Sequence, residues 1–165
     1  MAAERQKNLV STVMRDPVHW LAFGFGSGLL PAAPGTWGSL FTALVFWWIA
    51  PVDTLVLLGI STVLFVAGIW ICGVSSKRLG VRDHSGIVWD EVVGMLLTLS
   101  VVPPEPQWIA VAFIAFRVFD IWKPWPIRDV DHSLHGGLGI MLDDVLAAVY
   151  AALAVFILQR FIVGI

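Results

Sequence analysis

Five runs of apolar residues, at about 37–50, 54–72, 88–102, 108–122 and 140–163, are separated by short polar or proline-rich connections. None alternates apolar and polar positions as a half-buried strand would, and no internal repeat or low-complexity tract competes with a helical reading. At 1.5 Å per residue, the second and fifth runs are long enough to cross a hydrocarbon core of about 30 Å as helices. The other three hold about 15 residues each and must tilt or stop partway. Pro51, the Pro103-Pro104-Glu105-Pro106 cluster and Pro124 with Pro126 fall between runs, where helix breakers belong. The pattern predicts an all-α fold: a compact bundle of about five or six helices, integral to a membrane. It reads as one domain over residues 1–165, with residues 1–20 as an N-terminal cytoplasmic or interfacial segment.

Composition moves the picture in the same direction. The chain is 58% hydrophobic and 13% charged, with mean hydropathy +0.85, against about 45–50% and about 25% in soluble domains. A net charge of −2 provides no basic field for nucleic acid. The single cysteine, Cys72, rules out an internal disulfide, and no CxxC pattern is present. The stretch MAAERQKNLVSTVMRDPVHW has charge but no compact apolar core before a small-residue cleavage site, so no removable signal peptide is expected.

Basic residues orient the bundle. With the N-terminus in the cytoplasm and alternating segments, Arg5, Lys7, Arg15, Lys77, Arg78, Arg82, Arg117, Lys123 and Arg128 all fall inside, and only Arg160 falls outside. The outer connections PVD and PPEPQ contain no Lys or Arg, as the positive-inside rule expects. The same topology sorts the acids. Asp90 and Glu91 open the third helix, Asp120 closes the fourth, and Asp143 and Asp144 sit in the first turn of the fifth. Five carboxylates from three helices are thereby predicted to converge in one cytoplasmic-side layer.

Acids near helix N-termini also favour the helix dipole, and any one of these carries no more than that. Five in one layer repeat the cost of holding charge beside a membrane, and that repetition needs a purpose. Hard oxygen ligands without a Cys or paired-His pattern suit Mg²⁺ or Mn²⁺ rather than zinc. In FRVFDIWKPWPIRDVD, Arg117 and Asp120 share a helix face, and Lys123 and Arg128 follow as cations able to hold phosphate oxygens. Trp122 and Trp125 fit an interfacial belt, which alone would make this stretch an ordinary anchor.

The loop GFGSGLLPAAPGTWGSL, with Gly35, Thr36 and Ser39, is a candidate anion cradle leading into the first helix, although it lacks the Gly-Lys-Ser/Thr of a phosphate-binding P-loop. His135, in HGGLGIMLDD, is a candidate proton carrier or hydrogen-bond partner. CGVSSKR matches Cys-x5-Arg, but no strand delivers Cys72 and no His precedes it, so a cysteine nucleophile is not expected.

Four co-linear segments, GSGLLPAAPGTWGS, VWDEVVGM, FRVFDIWKPWPIR and HGGLGIMLDD, resemble the bacterial phosphatidylglycerophosphatase A family across most of residues 24–150. The resemblance implies a Mg²⁺-dependent phosphatase that converts phosphatidylglycerophosphate to phosphatidylglycerol and inorganic phosphate. It implies a multi-pass protein of the bacterial inner membrane with the site at the cytoplasmic face. The expected partners are the substrate and the lipid bilayer, with no nucleic acid and no obligate protein partner. Matching motifs carry over Asp90, Glu91, Asp120, Asp143 and Asp144 as catalytic metal ligands. Lys123 is expected to be catalytic and, with Arg117 and Arg128, to bind substrate phosphate. Attack by water and an aspartyl-phosphate intermediate both remain open at this level. A carboxylate-lined transporter, a lipid-binding scaffold and a CDP-lipid phosphoalcohol transferase are the competing function classes.

Overall fold

The computed structural model describes residues 2–163. The described residues are helical with no strand: α1 (Ala2–Arg15), α2 (Pro17–Ala22), a 3₁₀ segment (Gly24–Leu29), α3 (Pro34–Ile49), α4 (Thr54–Leu79), α5 (Trp89–Leu99), α6 (Pro106–Trp122), α7 (Ile127–Ser133) and α8 (Gly136–Val163). The five predicted runs are α3, α4, α5, α6 and α8. Two boundaries differ from expectation. The α4 helix continues through the polar CGVSSKR stretch to Leu79, because nothing in it breaks a helix until Gly80. The α8 helix starts at Gly136, since the glycines are absorbed into its first turn. Asp143 and Asp144 therefore lie about two turns inside α8 rather than in its first turn.

Both α4 and α8 are long and apolar enough to cross a membrane by length and composition. Proline at the first position starts α3 and α6. Asp53 caps α4, its Oδ1 accepting from the Leu55 N–H at 2.8 Å. Short α5 is the buried strut of the bundle, flanked by α3, α4, α6 and α8. Trp89, Val93, Met95 and Leu99 are buried along it, so its 11 residues need not reach both faces of a bilayer. Where α5 meets α8, a Cβ on Gly94 would stand 2.6 Å from the Phe116 ring and 3.0 Å from the Asp144 carbonyl. Only glycine lets α5 lie that close to the helix carrying the aspartates.

Two apolar clusters result. One joins Phe46, Met95, Leu99, Trp108, Phe116 and Ala151; the other joins Val13, Phe23, Cys72, Trp89, Val93 and Met141. The N-terminal helices are tied on by polar contacts. His19 Nδ1 and Ser75 Oγ are hydrogen-bonded at 2.8 Å, and Arg78 Nη1 donates to Asp16 Oδ2 at 2.5 Å.

Candidate active site

Three helices deliver the acid layer. Asp90 and Glu91 occupy the first turn of α5, Asp120 the last turn of α6, and Asp143 and Asp144 the facing side of α8. Adjacent residues differ by about 100° around a helix, so each acidic pair splits between neighbours. Glu91 turns toward α3 and α6: its Oε1 lies 3.8 Å from Arg117 Nη1. A Cβ on Gly35 would fall on Glu91 Oε1 and 3.0 Å from Arg117 Nη1. The N-terminus of α3 thus reaches the acid layer because position 35 has no side chain.

The five carboxylates separate into two groups. Asp120 is paired with Arg117. Asp143 Oδ2 accepts from Lys123 Nζ at 2.6 Å, and Lys123 also lies 3.2 Å from Asp131. Asp90, Glu91 and Asp144 instead converge, each offering an oxygen within 4.8 Å of the others. Asp90 Oδ1, Glu91 Oε2 and Asp144 Oδ2 are buried without a hydrogen-bond partner. Buried, unpartnered carboxylate oxygens in a low-dielectric site are costly, and three converging hard oxygens are the donor set a Mg²⁺-like cation takes. The residues fit such an ion. Asp143 Oδ1 and Arg117 Nε are likewise buried and unpartnered at the margin of the trio.

Lys123 closes α6 in the left-handed conformation, φ 46° and ψ 63°. Pro124 bars it from continuing the right-handed helix, and a non-glycine residue in this region carries strain. The bend sends the ammonium to Asp143 and Asp131. Burial works against the Lys123 charge, but hydrogen bonds and attraction from Asp143, reinforced by Asp131, hold its pKa above the usual lysine range.

The remaining sequence candidates are dispersed. Arg128 is exposed and, with Lys123, Trp122 and Trp125, lines a surface cleft of about 460 Å³ beside the site. Thr36 lines a groove with Arg117. Ser39 is fully buried and donates its hydroxyl to the Gly35 carbonyl at 2.8 Å, bracing the turn instead of facing the acids. His135 is exposed, and its Nδ1 is hydrogen-bonded to the Ser133 carbonyl at 3.1 Å. Cys72 is fully buried with its thiol on Met141 Sδ at 3.7 Å, a packing position.

Two functional neighbours went unread in the sequence. Asp131 shares Lys123 with Asp143, across a proline-broken stretch where no periodicity links the two. Arg82 Nη2 donates to the carbonyls of Asp131, His132 and Leu134, each at 3.2 Å, fastening the α4–α5 loop to the C-terminal end of α7. Its only sequence signal was a positive charge.

Known proteins resemble the chain over most of its length. The family described as phosphatidylglycerophosphatase A matches residues 20–159. A phosphatidylglycerophosphatase A from Escherichia coli (strain K12) is 47% identical over 146 residues, covering 84% of this chain and 81% of that protein. One from Haemophilus influenzae is 48% identical over 151 residues, 87% of this chain and 90% of that protein. A Bacteroides thetaiotaomicron protein named putative phosphatidylinositol-3-phosphatase is 39% identical over 151 residues, 86% and 92% of the respective lengths. No solved structure matches the chain.

Proposed function

The chain belongs to the phosphatidylglycerophosphatase A family and is a phosphatase, and from that premise we propose that it hydrolyses the phosphomonoester of phosphatidylglycerophosphate at the cytoplasmic face of a bacterial inner membrane, using Mg²⁺. The observation that carries the proposal is the convergence of Asp90, Glu91 and Asp144 with unpartnered buried oxygens. These three residues would hold the ion. Bound there, Mg²⁺ supplies Lewis-acid polarisation of the phosphoryl group and charge to activate water.

The protein's own groups do the rest. Arg117 and Lys123 neutralise charge on the phosphoryl oxygens as it spreads in the transition state. Arg117 Nε is a donor with no partner inside the protein. Asp120 is a positioning residue that holds Arg117 in place, and Asp143 holds Lys123 through its Oδ2. Asp143 Oδ1, left over from the Lys123 pair, accepts a proton from the attacking water. The water oxygen bonds to phosphorus as the bond from phosphorus to the glycerol oxygen breaks. That oxygen leaves as a hydroxyl after taking a proton from solvent. Support for a cytoplasmic orientation comes from the nine basic residues that alternating spans put on one side.

The relative named for a phosphatidylinositol phosphate makes the head group a direct question. The test is phosphate release by detergent-purified protein from phosphatidylglycerophosphate and from phosphatidylinositol 3-phosphate, with Mg²⁺ and with EDTA. Mg²⁺-dependent turnover of the glycerol lipid, lost in Asp90→Asn and kept in Cys72→Ser, is expected. Turnover indifferent to EDTA, or lost in Cys72→Ser, overturns the assignment. Solvent ¹⁸O recovered in an enzyme carboxylate after turnover would replace water attack with an aspartyl-phosphate route.

A further inference from the structure

The α3–α6 seam is open along its outer side. Its outer half is a groove of about 230 Å³ with Leu44 and Trp47 of α3 on one wall and Ala110 and Phe113 of α6 on the other, over a floor of Ala43 and Ile109. Its inner half, about 650 Å³, is lined by Phe113, Ile114, Val118, Ile121 and Trp122, with Thr36 and Arg117 as its polar residues. Phe113 lines both, so the two cavities adjoin along the side of the protein and a turn of that ring would join them into one channel. From Thr36 to Trp47 it runs about 16 Å at 1.5 Å per residue, which is the depth of one leaflet, about half of a 30 Å hydrocarbon core.

Resting on the phosphatase reading above, we propose that this channel holds one acyl chain of the phospholipid substrate, making the α3–α6 seam the lateral entrance to the active site. Three observations select this occupant. The channel is apolar along its length except where it meets the acid layer, as a chain with a polar head requires. The polar end presents Arg117, whose buried Nε lacks a partner and suits an ester or phosphate oxygen of the head. The same guanidinium lies 3.8 Å from Glu91, so a lipid seated here has its head beside the carboxylate trio while its tail remains at membrane depth. Gly35 lets the start of α3 approach Glu91 and Arg117 closely, because a Cβ there would fall on Glu91 Oε1 and 3.0 Å from Arg117 Nη1. The enzyme can then reach a phosphate near the glycerol backbone without lifting the lipid out of the bilayer, which would expose its chains to water.

The test uses a phosphonate analogue of phosphatidylglycerophosphate, in which carbon replaces the cleaved ester oxygen, with a diazirine near the end of one acyl chain. It is irradiated with the full-length protein and Mg²⁺ in nanodiscs, and labelled residues are mapped by mass spectrometry. Label concentrated on Leu44, Trp47, Ala110 and Phe113 is expected. Label spread over the outer faces of α4 and α8 overturns the proposal. In a second measurement, Ala110→Trp lowers the ratio of kcat/KM for long-chain over dihexanoyl substrate about tenfold, the equivalent of displacing about two methylenes. Val63→Trp, on the exposed side of α4, keeps the wild-type ratio. An unchanged ratio in Ala110→Trp contradicts the channel even where that protein is fully active. Labelling in the channel without hydrolysis of the ester by wild type would sink the phosphatase reading and spare the channel; hydrolysis with dispersed label would do the reverse.

Discussion

Two sets of carboxylates share one layer of this bundle and differ in what faces them. Asp120 and Asp143 each have a cation from the chain itself, Arg117 and Lys123. Asp90, Glu91 and Asp144 crowd together with an unpartnered buried oxygen on each. If all five are ionised, the two cations leave the layer with excess negative charge, and that excess is concentrated in the trio. A fold selected for stability alone would not gather three acids this way, because like charges at short range in a low dielectric repel strongly. The difference teaches that the pairs are balanced by cations of the chain itself, whereas the trio is completed by something positive from outside.

The sharpest way to break the contrast is to neutralise one member of the trio. Asp144→Asn should lower kcat/KM about a thousandfold or more, the loss of several kcal/mol of phosphoryl charge stabilisation. In EDTA the same variant should unfold at a higher temperature than wild type, since one buried repulsive charge is gone. A phosphate-release assay and a melting curve check both halves. Losing activity and stability together would mean Asp144 is merely structural.

The paired set should respond in the opposite sense. Lys123→Ala strands Asp143 and Asp131, and the expected cost is about 3 kcal/mol of stability, with activity down about a hundredfold. The double variant Lys123→Ala/Asp143→Ala should recover part of the stability but none of the activity. A double-mutant cycle with no coupling energy would remove the pair from the account.

Gly35→Ala probes the boundary between the two sets. Its Cβ displaces Glu91 from the trio and crowds Arg117, so activity should fall about tenfold to a hundredfold with a stability loss of about 1–3 kcal/mol. Wild-type kinetics in this variant would mean that Glu91 relocates without consequence.

The smallest effect belongs to a charge pair far from the layer. Burial works against ionised Asp16, but the Val18 N–H and Arg78 outweigh it and hold the carboxyl below its ordinary value. A depressed carboxylate stabilises the fold above its unfolded pKa, near 3.8, and that contribution disappears as pH falls through the folded value. Asp16→Asn should therefore cost about 1 kcal/mol or less at pH 7, vanishing in acid, with turnover unaffected. Melting curves at pH 7 and pH 3 test the sign.

Much of this was legible in the chain. The five apolar runs became five helices because prolines and short polar links bound them, and those signals are local. The pairing of Arg117 with Asp120 was legible for the same reason, since residues three apart share a helix face. What was not legible depends on distance or on context. Glycines 136, 137 and 139 precede the fifth apolar run, yet they form the start of α8, where the close approach of Gly137 to Ile69 and Gly73 of α4 offsets their low helix propensity. The division of five acids into a trio and two pairs rests on Lys123 reaching Asp143, twenty residues away, and on α5 lying against α8 at Gly94. No spacing rule encodes either contact. Arg82, which spans loops through three carbonyls, gave no sign beyond its charge.

The measurement that tests the central claim most directly is calorimetric titration of Mg²⁺ into the detergent-purified, metal-stripped protein, run on wild type, Asp90→Asn, Asp144→Asn and Asp53→Asn. Binding present in wild type and in Asp53→Asn, whose change lies at the α4 cap, but lost in Asp90→Asn and Asp144→Asn, is the result this account predicts. Binding that survives in Asp90→Asn and Asp144→Asn would contradict it, and the unpartnered oxygens of the trio would need another explanation.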